Sequence, residues 1–385
     1  VKREMKDKLL RFLSYVVVAM LATAITLQMT MKTGTGKLDR LENLIQERYI
    51  GEADGEAMED AAAAAMVKAT GDRWSYYIPA SQYEAHKEQS ENAYVGIGIT
   101  IQQAEDGSGF LIVMVNQNGP AQEAGVQVND LLIAVEDQDV REMTADQVRE
   151  LIRGEAGTKV SLTVMRQGEH QTLAVERRRI ESAVATGQML TDGIGLVKIS
   201  NFDERCASES IAAIQKLQQE GAKKIIFDVR NNPGGYAEEL VKLLDYLLPE
   251  GDLFRSVSYD GTEKVDTSDA DCLDMPMAVL INGSSYSAAE FFAAALQEYQ
   301  AATIVGEPTV GKGVYQTTIS LGDGSAVALS TGKYFTPKGN SLTDVGVTPD
   351  VRVDVDEETA EKIYYGTLGY ADDLQIQAAI QVLNR

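Results

Sequence analysis

Apolar and polar residues follow one another along this chain in three rhythms, and each rhythm marks out a region. From Leu38 to Tyr49 the apolar positions Leu38, Leu41, Leu44, Ile45 and Tyr49 recur at helical spacing, and an alanine-rich second helix is expected from Glu56 to Ala69. Between Asn92 and Arg178 short apolar or alternating runs predict strands at Phe110 to Val115, Asp130 to Val135 and Lys159 to Arg166. Thr144 is placed to cap a helix over Ala145 to Arg153, which Gly154 ends. Beyond Arg179 strands and helices take turns: strands at Gly195 to Ile199, Lys224 to Val229 and Met277 onward, helices at Ala207 to Glu220, Ala237 to Leu248 and Ser287 to Tyr299. That alternation predicts an α/β core with a largely parallel sheet. A polar insertion, Tyr259 to Asp271, interrupts it; Asp323-Gly324 reads as a hairpin turn, and Asp372 to Leu383 as an amphipathic helix.

The amino-terminal stretch is of another kind. Lys2, Arg3, Lys6, Lys8 and Arg11 are followed by a run without charge, Phe12 to Met31, long enough to cross a bilayer as a helix. A basic flank stays in the cytoplasm, so the expectation is a single-pass membrane anchor with the rest of the chain extracytoplasmic. Ala22-Thr23-Ala24 also offers a signal-peptidase site, which makes a cleaved and secreted form the alternative. The expected organisation is therefore an anchor segment (1–34), a helical region (35–91), an α+β, small barrel-like unit (92–178), the α/β core (179–350) and a carboxy-terminal helical region (351–385).

Composition narrows the function. A chain of 385 residues is long enough for two or three globular units. A net charge of -23 argues against nucleic-acid binding, which needs a positive surface to replace counterions. Cys206 and Cys272 have no CxxC or metal-like spacing; they allow a single disulfide or two isolated core thiols, and burial habits favour the thiols. The only histidines are His86 and His170, so a Ser-His-Asp, Cys-His or ordinary zinc site would have to be built from those two. No metal and no cofactor is expected.

The candidate chemistry lies between Ala278 and Ile319. An apolar run ends in the small-residue turn Asn282-Gly283-Ser284-Ser285-Tyr286, and Ser287 stands where the next helix begins. Serine needs something to remove its proton, and lysine does so when burial lowers its pKa. Lys312, between Gly311 and Gly313, has small or apolar neighbours, and Gln316 lies four residues on, on the same face if both sit in a strand. A helix start favours negative charge at Ser287 and the Ala288 amide, which suits an oxyanion; Gly234 or Gly235 could supply a second amide. Ser287 could equally be an N-cap, with Glu290 completing a capping box, and Ser284 and Ser285 are competing nucleophile candidates. Gly306 to Lys312 matches most of a phosphate-binding loop, but Gly313 replaces the required hydroxyl and a strand pattern follows instead of a helix.

Two resemblances complete the reading. The GIGI loop (Val95, Gly96, Ile97, Gly98, Ile99), GPAQEAGVQVNDLLIAVEDQDV and GEAGTKVSLTVMRQG together resemble a PDZ domain, with Asn129 where glycine is common. The resemblance implies that amides around Val95 to Gly98 hold a peptide's terminal carboxylate while the peptide adds as a strand beside Ile99 to Ile101. DVRNNPGG, SSYSAAE, VGKGVYQ and GVTPD, in that order, resemble the carboxyl-terminal processing (tail-specific) proteases of family S41, serine endopeptidases with a PDZ domain before the core. That resemblance implies Ser287 as nucleophile, Lys312 as base, Gln316 as its partner, and the amides of Ala288 and an NPGG glycine as oxyanion donors. It also implies peptide or protein substrates with accessible C-termini, and a homodimer through the terminal helices. Tyr286 departs from the family's usual alanine beside the nucleophile. A non-catalytic, anchored PDZ scaffold is the alternative of a different class.

Overall fold

The computed structural model describes residues 14–16, 18–21, 23, 36–90, 92–104 and 106–385. The expected anchor, Phe12 to Met31, lies largely outside the described residues, and among those described no helix is long and apolar enough to cross a membrane. Two compact units emerge, Val1–Pro79 with Thr318–Leu329, and Ala80–Thr317 with Ser330–Arg385.

In the smaller unit the helices Lys37–Arg48 and Gly55–Lys68 bury no residue, and Leu38, Leu41 and Leu44 are about half exposed. The Asp54 side chain caps the second helix by accepting from Ala57 N. The strand Tyr76–Ile78 pairs antiparallel with Ala326–Ala328, and the Tyr77 hydroxyl donates to Asp60 at 2.6 Å.

The larger unit begins with the PDZ-like fold. Five antiparallel strands run in the order Ile99–Gln103, Phe110–Val115, Leu131–Val135, Lys159–Arg166, Glu169–Glu176. Ala93–Gly96 paired with Arg178–Glu181 closes the unit. Alternate residues of these strands point inward with Val148 and Ile152 of the helix Ala145–Ile152, so Phe110, Ile112, Leu132, Val160, Leu162 and Val164 share one core. Thr144 caps that helix as expected, with Gln147 completing a capping box, and Asn129 takes a left-handed conformation (φ 71°), which asparagine tolerates.

The α/β core carries a six-stranded sheet in the order Ala185–Met189, Ile194–Ile199, Lys224–Asp228, Met277–Ile281, Ala302–Gly306, Val351–Arg352, parallel except at its first pair. One face packs on the helices Cys206–Gln219, Ala237–Leu247 and Ala288–Glu298; Phe202, Phe227, Phe291 and Phe292 are fully buried there. The other face, with Leu196, Ile226, Ala278 and Leu280, is covered by Ile376 and Ala379 of the last helix, Leu374–Leu383. The carboxy-terminal segment is thus a layer of the core rather than a region beside it.

Two further expectations need correction. The polar insertion contains a strand, Glu263–Ser268, antiparallel to Gly251–Ser258; its two-sided polarity hid the alternation. Cys206 is buried as expected, with burial pushing its thiol pKa up, but Cys272 is exposed, because it follows that surface hairpin.

Candidate active site

The strand Met277–Ile281 is buried along its whole length and delivers the chain into a turn with little freedom left. The Asn282 side chain accepts from Asn231 N at 2.9 Å and donates to Asn231 Oδ1 at 2.9 Å, tying this turn to the one after the neighbouring strand. Ser285 is fully buried; its hydroxyl donates to Val229 O at 2.8 Å and accepts from Asn282 N at 3.1 Å. Its proton is committed to holding the two strand ends together. Ser284 is exposed, and its N–H donates to Asn282 Oδ1.

Ser287 then adopts φ 60°, ψ −124° at the N-cap of the helix Ala288–Glu298. For a residue with a Cβ this backbone is strained by roughly 1–3 kcal/mol, so surrounding contacts must impose it. Ser287 N donates to Glu290 Oε2 at 2.9 Å, Tyr286 N donates to Asn232 O at 3.1 Å, and Phe291 N donates to Ser287 O at 3.0 Å. A serine forced into such a strand-to-helix corner presents its hydroxyl away from the backbone, the geometry of a nucleophile elbow.

Glu290 does more than cap the helix. It is fully buried, and besides Ser287 N it accepts from Thr309 Oγ1 (2.5 Å), Gly311 N (2.6 Å) and Lys312 N (2.9 Å). One carboxylate therefore fixes both the serine corner and the loop that carries the lysine. Lys312 lies in that loop, ahead of the strand Val314–Ser320 instead of within it, because Gly311 (φ 86°) turns the chain first. A side chain at Gly313 would collide with Thr343, so the segment Ser341–Val345 packs directly on the lysine loop. Lys312 Nζ stands 5.9 Å from the centroid of the Tyr286 ring. Gln316, on the strand, donates from Nε2 to Ser330 Oγ at 2.9 Å, which orients its amide.

Tyr334, almost wholly buried, donates its hydroxyl to the Lys312 carbonyl. Burial raises its pKa, and the Glu290 charge adds to this, while a hydrogen bond with the Ser287 side chain opposes them. The phenol thus stays neutral, between the serine and the lysine loop. Neither it nor the Thr343 segment was marked by any sequence signal. Glu290 had one, as the lone charge in the otherwise apolar helix sequence AAEFFAAAL.

The turn Asn231-Asn232-Pro233-Gly234-Gly235 faces the serine from the next strand. The Gly234 N–H donates to Asn232 Oδ1 at 2.8 Å, so of the three expected oxyanion amides this one is already engaged. Its missing side chain matters instead. With φ 91°, a Cβ on Gly234 would stand 2.7 Å from Ser287 Cβ and 2.8 Å from Ala288 N, in the space before the first amide of the helix. Beneath the turn lies a buried ion cluster. Arg230 pairs with Asp228 at 2.7 Å and with Asp373 at 2.9 Å, and donates to Gln375 Oε1 at 3.0 Å. Burial alone would raise the Asp228 pKa, but the charge and hydrogen bonds of Arg230 hold it below the usual carboxylate range.

In the PDZ-like unit the strand Ile99–Gln103 is the sheet's edge. A groove of about 330 Å³ runs between it and the helix Ala145–Ile152, lined by Val95, Gly96, Ile97, Gly98 and Ile99 at the glycine loop. Val95 N donates to the Glu88 side chain at 3.3 Å, so that amide of the loop is engaged.

Fold and site together define an α/β protein with a strained serine corner and a PDZ domain ahead of it. The family model of peptidase family S41 matches residues 193–353, and that of the PDZ domain residues 111–166. The chain is 31% identical over 384 residues to the carboxy-terminal processing protease CtpA of Bacillus subtilis, covering 96% of this chain and 80% of that one. It is 31% identical over 331 residues to a probable CtpA-like serine protease of Staphylococcus aureus, covering 84% of this chain and 66% of that protein. A solved putative S41 protease from Bacteroides fragilis shares the fold, at 15% identity, TM-score 0.54, and coverage of 89% and 96%. The chain belongs to peptidase family S41, as a serine-type carboxy-terminal processing protease with a PDZ domain.

Proposed function

We propose that the chain is an endopeptidase of Ser-Lys type. The observation that carries this reading is the Glu290 carboxylate, which binds Ser287 N and Lys312 N at 2.9 Å each and so brings nucleophile corner and lysine loop together. Neutral Lys312 takes the proton of Ser287 Oγ as the oxygen attacks the scissile carbonyl carbon. The resulting oxyanion is met by the N–H groups of Ala288 and Gly235. The C–N bond then breaks, its electron pair leaving with the amine, which Lys312 protonates. Water, deprotonated by the same amine, then adds to the acyl carbon; the C–O bond to Ser287 breaks and Lys312 returns the proton to Oγ. Gln316, held by Ser330, orients the lysine. Substrates are polypeptides with accessible C-termini, which the groove beside Ile99–Gln103 takes up as an added strand. The strain at Ser287 favours this over a non-catalytic scaffold, which has no need to maintain it.

The test is cleavage of β-casein or a tailed reporter by wild type, Ser287→Ala, Lys312→Ala and Gln316→Ala. Loss of turnover in the first two variants and a reduced rate in the third is expected. Equal cleavage by all four proteins, or by none, overturns the assignment. Anchoring through Phe12 to Met31 with an extracytoplasmic body belongs to the same proposal. Carbonate extraction of membranes tests it: release of the full-length chain into the supernatant would contradict it.

A further inference from the structure

A chain of net charge -23 ought to repel acidic peptides, yet the charged side chains that line its peptide groove are both arginines. The groove's apolar lining comes from Val95, Ile97, Ile99, Ile101 and Ile152, and its charged lining from two arginines, Arg149 and Arg153. Both project from the helix Ala145–Ile152 or its C-cap. Among the described residues each has an ion pair only to a neighbour on its own helix: Arg149 to Asp146 at 2.6 Å and Arg153 to Glu150 at 3.7 Å. Those acids are 82% and 72% exposed, so the pairs are weak and open to competition from a carboxylate in the partly desolvated groove.

The two arginines occupy different levels. Arg153 lies at the glycine-loop end, close enough to influence Tyr94, whose pKa is raised by burial and drawn back by the Asn116 hydrogen bond and by the Arg153 charge. A third guanidinium adds positive charge at that end, where the Glu88 carboxylate on Val95 N is the opposing charge. Arg177 is buried and donates only to carbonyl and hydroxyl oxygens, those of Leu151, Ile152, Lys159 and Thr158, so no carboxylate neutralises it through these bonds. Arg149 is one helical turn further along the groove, about 6 Å at 1.5 Å per residue. An extended peptide advances about 3.3 Å per residue, so that step spans two peptide residues.

We infer that the groove selects C-termini with an apolar last residue and an acidic residue two positions before it, the terminal carboxylate lying towards Arg153 and the acidic side chain opposite Arg149. This rests on the reading of the groove as a C-terminal peptide site and specifies its ligand class. The apolar pocket made by Ile97, Ile99 and Ile152 takes the last side chain, and the edge strand supplies main-chain hydrogen bonds whatever the sequence. Charge complementarity then provides the discrimination.

The test is fluorescence anisotropy with full-length Ser287→Ala, which binds without cleaving, and four labelled octapeptides. Three have a free carboxylate and end in Glu-Ala-Val, Gln-Ala-Val or Lys-Ala-Val; the fourth is the Glu peptide with an amidated end. The Glu peptide is expected to bind roughly fivefold tighter than the Gln peptide at low salt, with the gap narrowing as salt rises. Adding Arg149→Glu should invert the order so that the Lys peptide binds best, with an unchanged thermal melt. Equal binding of the Glu, Gln and Lys peptides alongside a weak amide overturns the acidic selectivity and leaves the groove a C-terminal peptide site. Equal binding of the acid and the amide, or no binding of any peptide, overturns that site as well.

Discussion

The backbone N–H of Lys312 donates to the carboxylate of Glu290 at 2.9 Å, and the same oxygen, Oε2, receives the N–H of Ser287. The serine corner and the lysine loop are thereby held by one buried atom. Glu290→Gln keeps the shape but turns one of these acceptor positions into an NH₂ facing N–H donors. Charge-assisted hydrogen bonds are worth about 1.5–3 kcal/mol, so kcat should fall roughly tenfold to a hundredfold while KM changes little. Steady-state kinetics on a fluorogenic peptide, with a thermal melt in parallel, check this. A variant with wild-type kcat would remove Glu290 from the positioning of the site.

Two serines in the same turn have different work, and they can be separated. Ser285→Ala loses the bond to Val229 O and should cost about 1 kcal/mol of stability while retaining turnover and labelling by a fluorophosphonate. Ser287→Ala should abolish labelling and turnover while changing stability little, since alanine keeps the Cβ and the strain is the same in both proteins. Mass spectrometry of the labelled protein decides between them; label on residue 285 would reverse the assignment.

Gly234→Ala would place a methyl group 2.8 Å from Ala288 N at a left-handed backbone position. Turnover should drop by at least about a hundredfold, the usual loss when an oxyanion donor is obstructed, with roughly 1–2 kcal/mol of destabilisation from the backbone. Gly261→Ala is the control, since its φ is 84° but nothing lies within 4 Å of the added carbon. The control should share the stability loss and keep the activity. Equal activity in both variants would show that the space before Ala288 is not used.

Arg230→Met leaves Asp228 and Asp373 buried without their cation, which should cost about 3–5 kcal/mol in guanidinium unfolding. The sign of the pH dependence follows from Asp228. Its pKa in the folded state lies below the unfolded value, so its contribution is full above the ordinary carboxylate range and is lost as pH falls through the depressed value. Unfolding midpoints measured from pH 7 down to pH 3 should therefore converge for wild type and variant. Parallel curves across that range would contradict the linkage.

Much of the core could be read from the sequence because its strands are continuous apolar runs and its helices carry amphipathic faces. The serine corner was legible for the same reason: a buried strand, a small-residue turn and a helix start are local signals. What escaped was tertiary. Glu290 reads locally as a cap, and only the fold brings Thr309, Gly311 and Lys312, some twenty residues later, onto its oxygens. Tyr334 is one more aromatic in the strand Ala326–Phe335 until its hydroxyl meets the Lys312 carbonyl. Lys312 and Gln316 were expected on one strand face, but the turn at Gly311 puts the lysine ahead of the strand. The Glu263–Ser268 strand was missed because both of its faces are polar, which leaves no period to detect.

Arg230, three residues before Pro233-Gly234, finds Asp373 and Gln375 at separations of 143 and 145 residues. The turn beside Ser287 thus depends on a helix that lies about 140 residues further along the chain. Closing so long a loop is entropically costly, so the turn gains this support only once the far helix has docked on the sheet.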